Sequence, residues 1–244
     1  MVQIVGHRGG RNLWPENSLE GFRKLAALGV EAVEFDVHPT RDGDIAVIHD
    51  ATLERTTLGE GRVADRTAAE LAEIRLKDSD EHVSTLDAVL RVLAPTSFEL
   101  HVEIKTDVGG EPYKGFEPRV VTSIEQHGLQ DRTVYTSFRP EVLEAVRRLR
   151  PEARVLASVN EAWAERCGGV DAWLTRFSTI RGCLVAVEKG LLAKTQEFWQ
   201  SRVGPERLGV WVPNERDDLA YWLKQPVRQL TTDRPDLAVE LRGR

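Results

Sequence analysis

Ala32-Val33-Glu34-Phe35-Asp36-Val37 reads as a strand with two unlike faces. Side chains alternate across a strand, so Val33, Phe35 and Val37 take one face and Glu34 and Asp36 the other. Two carboxylates at i and i+2 over an apolar back repel each other unless a cation sits between them. Outward from this stretch, Val2-Gln3-Ile4-Val5 runs into Gly6-His7-Arg8-Gly9-Gly10, and Ile45-Ala46-Val47-Ile48 stops at His49. Each apolar run in the first fifty residues ends in an imidazole, a guanidinium or an acid.

The same scheme continues along the chain. Pro15-Glu16-Asn17-Ser18 opens a helix with apolar Leu19, Phe22, Leu25, Ala26 and Leu28, ended by Gly29. Asp42-Gly43 is a turn signal, making 33–48 a hairpin or a strand with a short antiparallel partner. Residues 50–84 are polar and turn-rich, with one short helix that Thr67 and Glu70 cap reciprocally; they read as a small inserted subdomain. Thr85–Leu90 returns to helix. Ser97–Ile104 is a strand, with Phe98, Leu100, Val102 and Ile104 on one face and Glu99, His101 and Glu103 on the other. Then come helix 117–127, strand 132–136, helix 140–149, strand 154–159, helix 160–168, strands at 170–174 and 183–187, helix 189–202, strand 208–212, helix 215–224 and strand 227–231. Strands alternating with helices over a whole chain argue for a parallel sheet. About eight units in ~250 residues fit a closed TIM (β/α)8 barrel forming a single domain over residues 1–244. An open doubly wound sheet would want a glycine-rich dinucleotide loop after the first strand, and there is none.

Composition excludes several classes. Lys and Arg number 33 against 39 Asp and Glu, a net charge of −6 with no basic tail or stripe, which argues against nucleic-acid binding. The two cysteines, Cys167 and Cys183, lack a CxxC spacing and are expected to be free thiols. No apolar stretch reaches the ~18–20 residues of a membrane helix. The first strand begins at Val2 with no signal peptide before it, so a cytoplasmic location is expected. The oligomeric state cannot be read from the sequence.

In a (β/α)8 barrel the reactive groups gather at the carboxyl ends of the strands. The polar residues His7, Arg8, Glu34, Asp36, His49, Glu103, Lys105, Ser137, Trp211, Thr232 and Asp233 fall at those ends. Closure would bring them to one rim. Two histidines and an arginine beside paired acids supply acid–base and anion-binding groups next to a metal, a combination suited to hydrolysing a phosphate ester.

The order of short motifs resembles the glycerophosphodiester phosphodiesterase family over nearly the whole length. The residues that carry the resemblance are His7-Arg8-Gly9, Pro15-Glu16-Asn17-Ser18, Glu34/Asp36, Asp42-Gly43, His49-Asp50, Arg55-Thr56-Thr57, Glu103-Ile104-Lys105 and Thr232-Asp233-Arg234-Pro235. Two departures lie in the C-terminal third: Trp211-Val212-Pro213-Asn214 stands where the family has W-T-[VI]-N, and Gln225-Pro226-Val227-Arg228 replaces G-[VA]-D-G. The resemblance implies hydrolysis of glycerophosphodiesters, which are deacylated phospholipids, to glycerol 3-phosphate and an alcohol. Glu34, Asp36 and Glu103 are the expected metal ligands, and oxygen-only ligation selects one divalent cation, Mg2+ or Ca2+. His7 and His49 are the expected acid–base pair. Arg8 and Lys105 are expected to hold phosphate oxygens. Trp211 either stacks against the glycerol or headgroup or packs in the core.

His101 is expected one layer deeper as a packed histidine, and His38, His82 and His127 as loop or helix-surface residues. Loop 106–118 either folds over the headgroup or is a mobile surface loop. Three other functions share these residues. A lysophospholipase D-like hydrolase would need an apolar groove, to which Leu13, Trp14 and Phe116 could contribute. A non-catalytic glycerophosphodiester-binding barrel would need no proton transfer. A barrel lyase or isomerase would rely on Lys105.

Overall fold

The computed structural model describes residues 1–243. Its ten strands are β1 (Gln3–Gly6), β2 (Ala32–Pro39), β3 (Ile45–Val47), β4 (Ser84–Thr85), β5 (Glu99–Ile104), β6 (Thr133–Ser137), β7 (Arg154–Val159), β8 (Leu184–Glu188), β9 (Leu208–Trp211) and β10 (Gln229–Thr232). Eight of them, all but β3 and β4, run parallel in the order β1-β2-β5-β6-β7-β8-β9-β10. The ring closes because β1 pairs with both β2 and β10. This is the TIM barrel that the strand–helix alternation predicts.

Two elements differ from that reading. Residues 170–174 are not a strand: they open a helix over Val170–Phe177. A five-residue apolar window cannot separate the two periods. Extended to Phe177, apolar side chains recur at 170, 173, 174 and 177, and Trp173 and Phe177 are buried. Removing that strand leaves eight parallel strands beside the antiparallel run at 45–48. The helix read at 189–202 is two helices, Lys189–Lys194 and Gln196–Arg202, broken where Thr195 leaves helical geometry (φ −132°, ψ 27°).

The register of the barrel positions the site. Asp36 lies beside Glu103, and Glu34 beside His101, on the adjacent parallel strands β2 and β5. Neighbours in register point to the same side of a sheet, so the inward faces stack in layers, with Asp36 and Glu103 above Glu34 and His101. The outward faces bury Val33, Phe35 and Val37 completely against the helices. Phe22 of helix Leu19–Ala26 meets Phe35 edge-to-face at 5.8 Å. Removing an aromatic side chain from such a position typically costs about 3–5 kcal/mol.

β3 turns back antiparallel on β2, and β4 pairs antiparallel with β3. Between them, residues 50–84 bury a small core of their own from Leu53, Val63, Leu71, Leu76 and Val83 against Ala46 and Ile48. The helix Ala68–Ala72 in this excursion carries the capping box between Thr67 and Glu70. Cys167 and Cys183 are free thiols. Among the described residues, no helix is long and apolar enough to cross a membrane.

Candidate active site

The residues at the strand ends converge on one mouth of the barrel. A cavity of about 230 Å³ there is lined by His7, Arg8, Glu34, His49, Glu103 and Trp211, and also by His101, Gln229, Thr136 and Ser158.

β1 runs into a tight turn at His7–Gly9 that requires Arg8 in the left-handed region (φ 49°) and Gly9 at φ 78°. A side chain on Gly9 would also press on the Phe22 ring, since its Cβ would stand only 3.1 Å from the ring carbons. The turn aims the Arg8 amide N–H at Glu34 Oε2, 3.0 Å away. Strain of this kind persists only where the surroundings over-determine it. Here the Arg8 guanidinium is held by Glu16 (3.2 Å) and lies 3.4 Å from Asp36.

Glu34, Asp36 and Glu103 each offer an oxygen within 4.8 Å of the others. Glu34 Oε1 is buried without a hydrogen-bond donor, and Asp36 Oδ1 is buried with only the Lys105 ion pair at 3.3 Å. Burial, reinforced by the charges of Asp36 and Glu103, raises the Glu34 carboxyl well above the usual carboxylate range. Burial acts on Asp36 in the same sense, but Lys105, His49 and Arg8 outweigh it and hold that carboxyl well below its ordinary value. Lys105 Nζ contacts Glu103 at 2.7 Å and Asp36 at 3.3 Å. These acids hold its ammonium above the ordinary lysine value despite burial. The donor set is all oxygen, crowded with negative charge and short of donors, and it fits a hard divalent cation.

Both imidazoles of the mouth are oriented by carboxylates. His7 Nδ1 lies 2.5 Å from Asp233 Oδ1, and His7 Nε2 is 3.8 Å from Glu34. Burial lowers the pKa of His7, with the Asp233 hydrogen bond working against it. His49 Nδ1 lies 2.5 Å from Asp50 Oδ1. Arg55 grips the other oxygen of Asp50 and makes a two-pronged contact with Glu16 at 2.7 and 3.0 Å. Asn17, itself left-handed (φ 58°), donates its amide to Asp36 Oδ2 at 3.0 Å. Asn214 donates to Asp233 Oδ2 at 2.8 Å.

Trp211 stands on the cavity wall, half-buried, its indole N–H donating to the Ala186 carbonyl at 3.1 Å and its ring edge-on to Phe138 at 5.7 Å. His101 is the deep, packed histidine expected, 2.8 Å from Glu99. His38 is a correction: it is not on a loop or helix surface but on β2, 1% exposed. Its neighbours are the Tyr113 hydroxyl at 3.0 Å and the His49 carbonyl at 3.1 Å, and burial pushes its pKa down to about 4. Phe116 is buried in the core and cannot line a surface groove, and Tyr113 turns inward.

Reading the sequence alone gives no role to Asp233, Asp50, Asn17, Glu16, Arg55 or Asn214. Five of these, Glu16, Asn17, Asp50, Arg55 and Asp233, sit inside the short motifs, and Asn214 ends the stretch that departs from them.

Fold and site define the class: a (β/α)8-barrel enzyme with its reactive groups on the carboxyl rim. Within it, the chain belongs to the glycerophosphoryl diester phosphodiesterase family, whose model matches residues 7–237, and it is a phosphoric diester hydrolase. A glycerophosphodiester phosphodiesterase from Caldanaerobacter subterraneus subsp. tengcongensis is 27% identical over 98% of this chain and 96% of its own length. The crystal structure of a glycerophosphodiester phosphodiesterase from Thermotoga maritima shares the fold with TM-score 0.79 at 23% identity, covering 99% of each chain. An Oleispira antarctica phosphodiesterase, solved with the product sn-glycerol-3-phosphate, superposes with TM-score 0.84 at 22% identity over 99% of this chain and 97% of that one.

Proposed function

We propose that this enzyme cleaves glycerophosphodiesters to glycerol 3-phosphate and an alcohol, with His7 and His49 as the acid–base pair and one divalent cation, Mg2+ or Ca2+, held by Glu34, Asp36 and Glu103. One observation carries the reading: two imidazoles, each with Nδ1 engaged by its own carboxylate, flank a buried three-carboxylate cluster. Engaging Nδ1 leaves Nε2 of each ring free for proton transfer, and the Asp233 and Asp50 charges stabilise the imidazolium that forms. The product bound by the Oleispira antarctica phosphodiesterase is the one this reading expects.

When bound, the cation would polarise a phosphoryl oxygen and lower the barrier to attack at phosphorus. Arg8 and Lys105 present fixed positive charge to the remaining oxygens as charge develops on them. Trp211 offers a flat apolar wall for the carbon skeleton. In the first step the glycerol 2-hydroxyl attacks phosphorus, and one histidine takes its proton. The other histidine protonates the departing alcohol, leaving a cyclic 1,2-phosphate. In the second step water opens the ring and the two histidines exchange roles, so the protons balance over the cycle.

The test is a panel of glycerophosphodiesters assayed with Mg2+, Ca2+ or chelator, following glycerol 3-phosphate. Metal-dependent release is expected, with His7→Ala and His49→Ala each reducing kcat by about 10²–10⁴-fold. Undiminished kcat in either variant would overturn the acid–base assignment. Rapid cleavage of a 2-deoxy analogue would replace internal attack with direct attack by water.

A further inference from the structure

His38 shares its strand and its inward face with Glu34 and Asp36, one step further toward the rim. A main-chain carbonyl can only accept a hydrogen bond, so the 3.1 Å contact with the His49 carbonyl requires the proton on His38 Nε2. In the neutral ring Nδ1 then carries a lone pair, and the Tyr113 hydroxyl 3.0 Å away donates to it. Tyr113 is in turn fixed by edge-to-face contacts with His38 (5.7 Å) and with Phe116 (5.8 Å), which is buried in the core.

The His49 carbonyl stands in an irregular stretch of main chain. It lies past the end of β3, between the bond from Ile48 N–H to the Asp36 carbonyl at 3.0 Å and the bond from Val63 N–H to the Ala51 carbonyl at 3.0 Å. Asp50 orients the His49 ring but belongs to the same irregular segment. Arg55 ties Asp50 to Glu16 on the carboxylate side, and His38 holds the main chain of His49 itself.

We propose that His38 is a positioning residue for the reaction: clamped between Tyr113 and the His49 carbonyl, it sets where the His49–Asp50 pair stands relative to the phosphate and ties that pair to the 106–118 segment. This rests on the acid–base role proposed above for His49. A misplacement of about 1 Å at a reacting group can cost roughly 100-fold in rate. Arg8 and Lys105, the groups that would bind phosphate, are held by Glu16, Asp36 and Glu103 and not by hydrogen bonds to His38, so loss of the clamp should fall on kcat and spare KM.

His38→Leu is expected to lower kcat about 10–100-fold with KM within twofold. His38→Gln, which returns an N–H donor to the carbonyl, should recover most of that loss. Tyr113→Phe removes only the hydroxyl and should cost a smaller, measurable part of kcat. Nitrogen NMR of the wild-type protein should show His38 protonated at Nε2 and bare at Nδ1.

In a double-mutant cycle, adding His38→Leu to His49→Ala should cost nothing further, since the clamp acts through His49. Additive losses overturn the proposal, as does a Gln variant as slow as the Leu variant, a proton on Nδ1, or wild-type kcat in Tyr113→Phe and His38→Leu alike. Should His38→Leu fail to fold, a wild-type kcat in Tyr113→Phe suffices to overturn it. The two readings fail differently: an active His49→Ala enzyme sinks the acid–base role, whereas an inactive one beside unaffected His38 variants sinks only the clamp.

Discussion

His7 and Asp233 are separated by 226 residues, yet Nδ1 of one lies 2.5 Å from Oδ1 of the other. The contact spans the seam where β1 meets β10, so barrel closure and the orientation of this histidine are one event. Asn214 and Arg11 hold the second oxygen of Asp233, at 2.8 and 3.6 Å, which leaves Oδ1 for the ring. Asp233→Asn keeps the shape but puts an amide where an acceptor is needed, favouring the wrong tautomer. A loss of about 10²–10³-fold in kcat is expected with little change in melting temperature. A variant with wild-type kcat would show that Asp233 does not orient a working histidine.

Removal of the divalent cation should be visible without any turnover. Burial and the neighbouring acids penalise the charge of Glu34, whose Oε1 has no hydrogen-bond donor, so a cation that binds only the folded state stabilises it by mass action. At a hundredfold excess over Kd that amounts to about 2.7 kcal/mol. Thermal melts with chelator, Mg2+ and Ca2+ should separate, and Glu103→Gln should shrink the separation. Melting curves that coincide under all three conditions would count against a cation site at these carboxylates.

Arg55 reaches out of the inserted segment to bind both Asp50 and Glu16, and Glu16 in turn holds Arg8. The segment thus braces a histidine and an anion-binding arginine together. Arg55→Met should lower kcat about tenfold, and Arg55→Lys should not restore it, because an ammonium cannot span two carboxylates with the geometry of a guanidinium fork. Full activity in the Lys variant would mean that charge alone is what Arg55 supplies.

These networks mark where local sequence stops being informative. The period-2 runs before His7, around Glu34 and up to Glu103 are local patterns, and the strand ends that carry the chemistry are legible from them. Which strand end faces which is not local, and neither are the Asp233 and Glu16 contacts. His38 reads as a loop residue because Pro39-Thr40 follows it, although continuing the alternation through Glu34 and Asp36 places it on the inward face. Val170–Leu174 passes for a strand because five residues do not distinguish period 2 from period 3.6. Phe116 looks available for a substrate only until its burial is seen, and the Tyr113 hydroxyl only until its contact with His38 is.

The floor of the barrel offers a test of stability separate from chemistry. Glu99 accepts from Arg228 (2.8 and 3.0 Å), pairs with Arg154 (2.6 Å) and lies 2.8 Å from His101. Burial would raise its carboxyl, but His101 and Arg228 prevail and hold it far below the ordinary glutamate value. A carboxyl depressed in the folded state stabilises the protein above its unfolded pKa of about 4.3, and that contribution is lost as pH falls toward the folded value. Glu99→Gln should therefore be less stable at pH 7, by about 1–3 kcal/mol, because it leaves the half-buried Arg228 without its carboxylate. The gap from wild type should narrow steadily below about pH 4.3. Urea melts of both proteins between pH 3 and 8 measure it. A difference independent of pH would mean that packing, and not the charge of Glu99, holds the floor together.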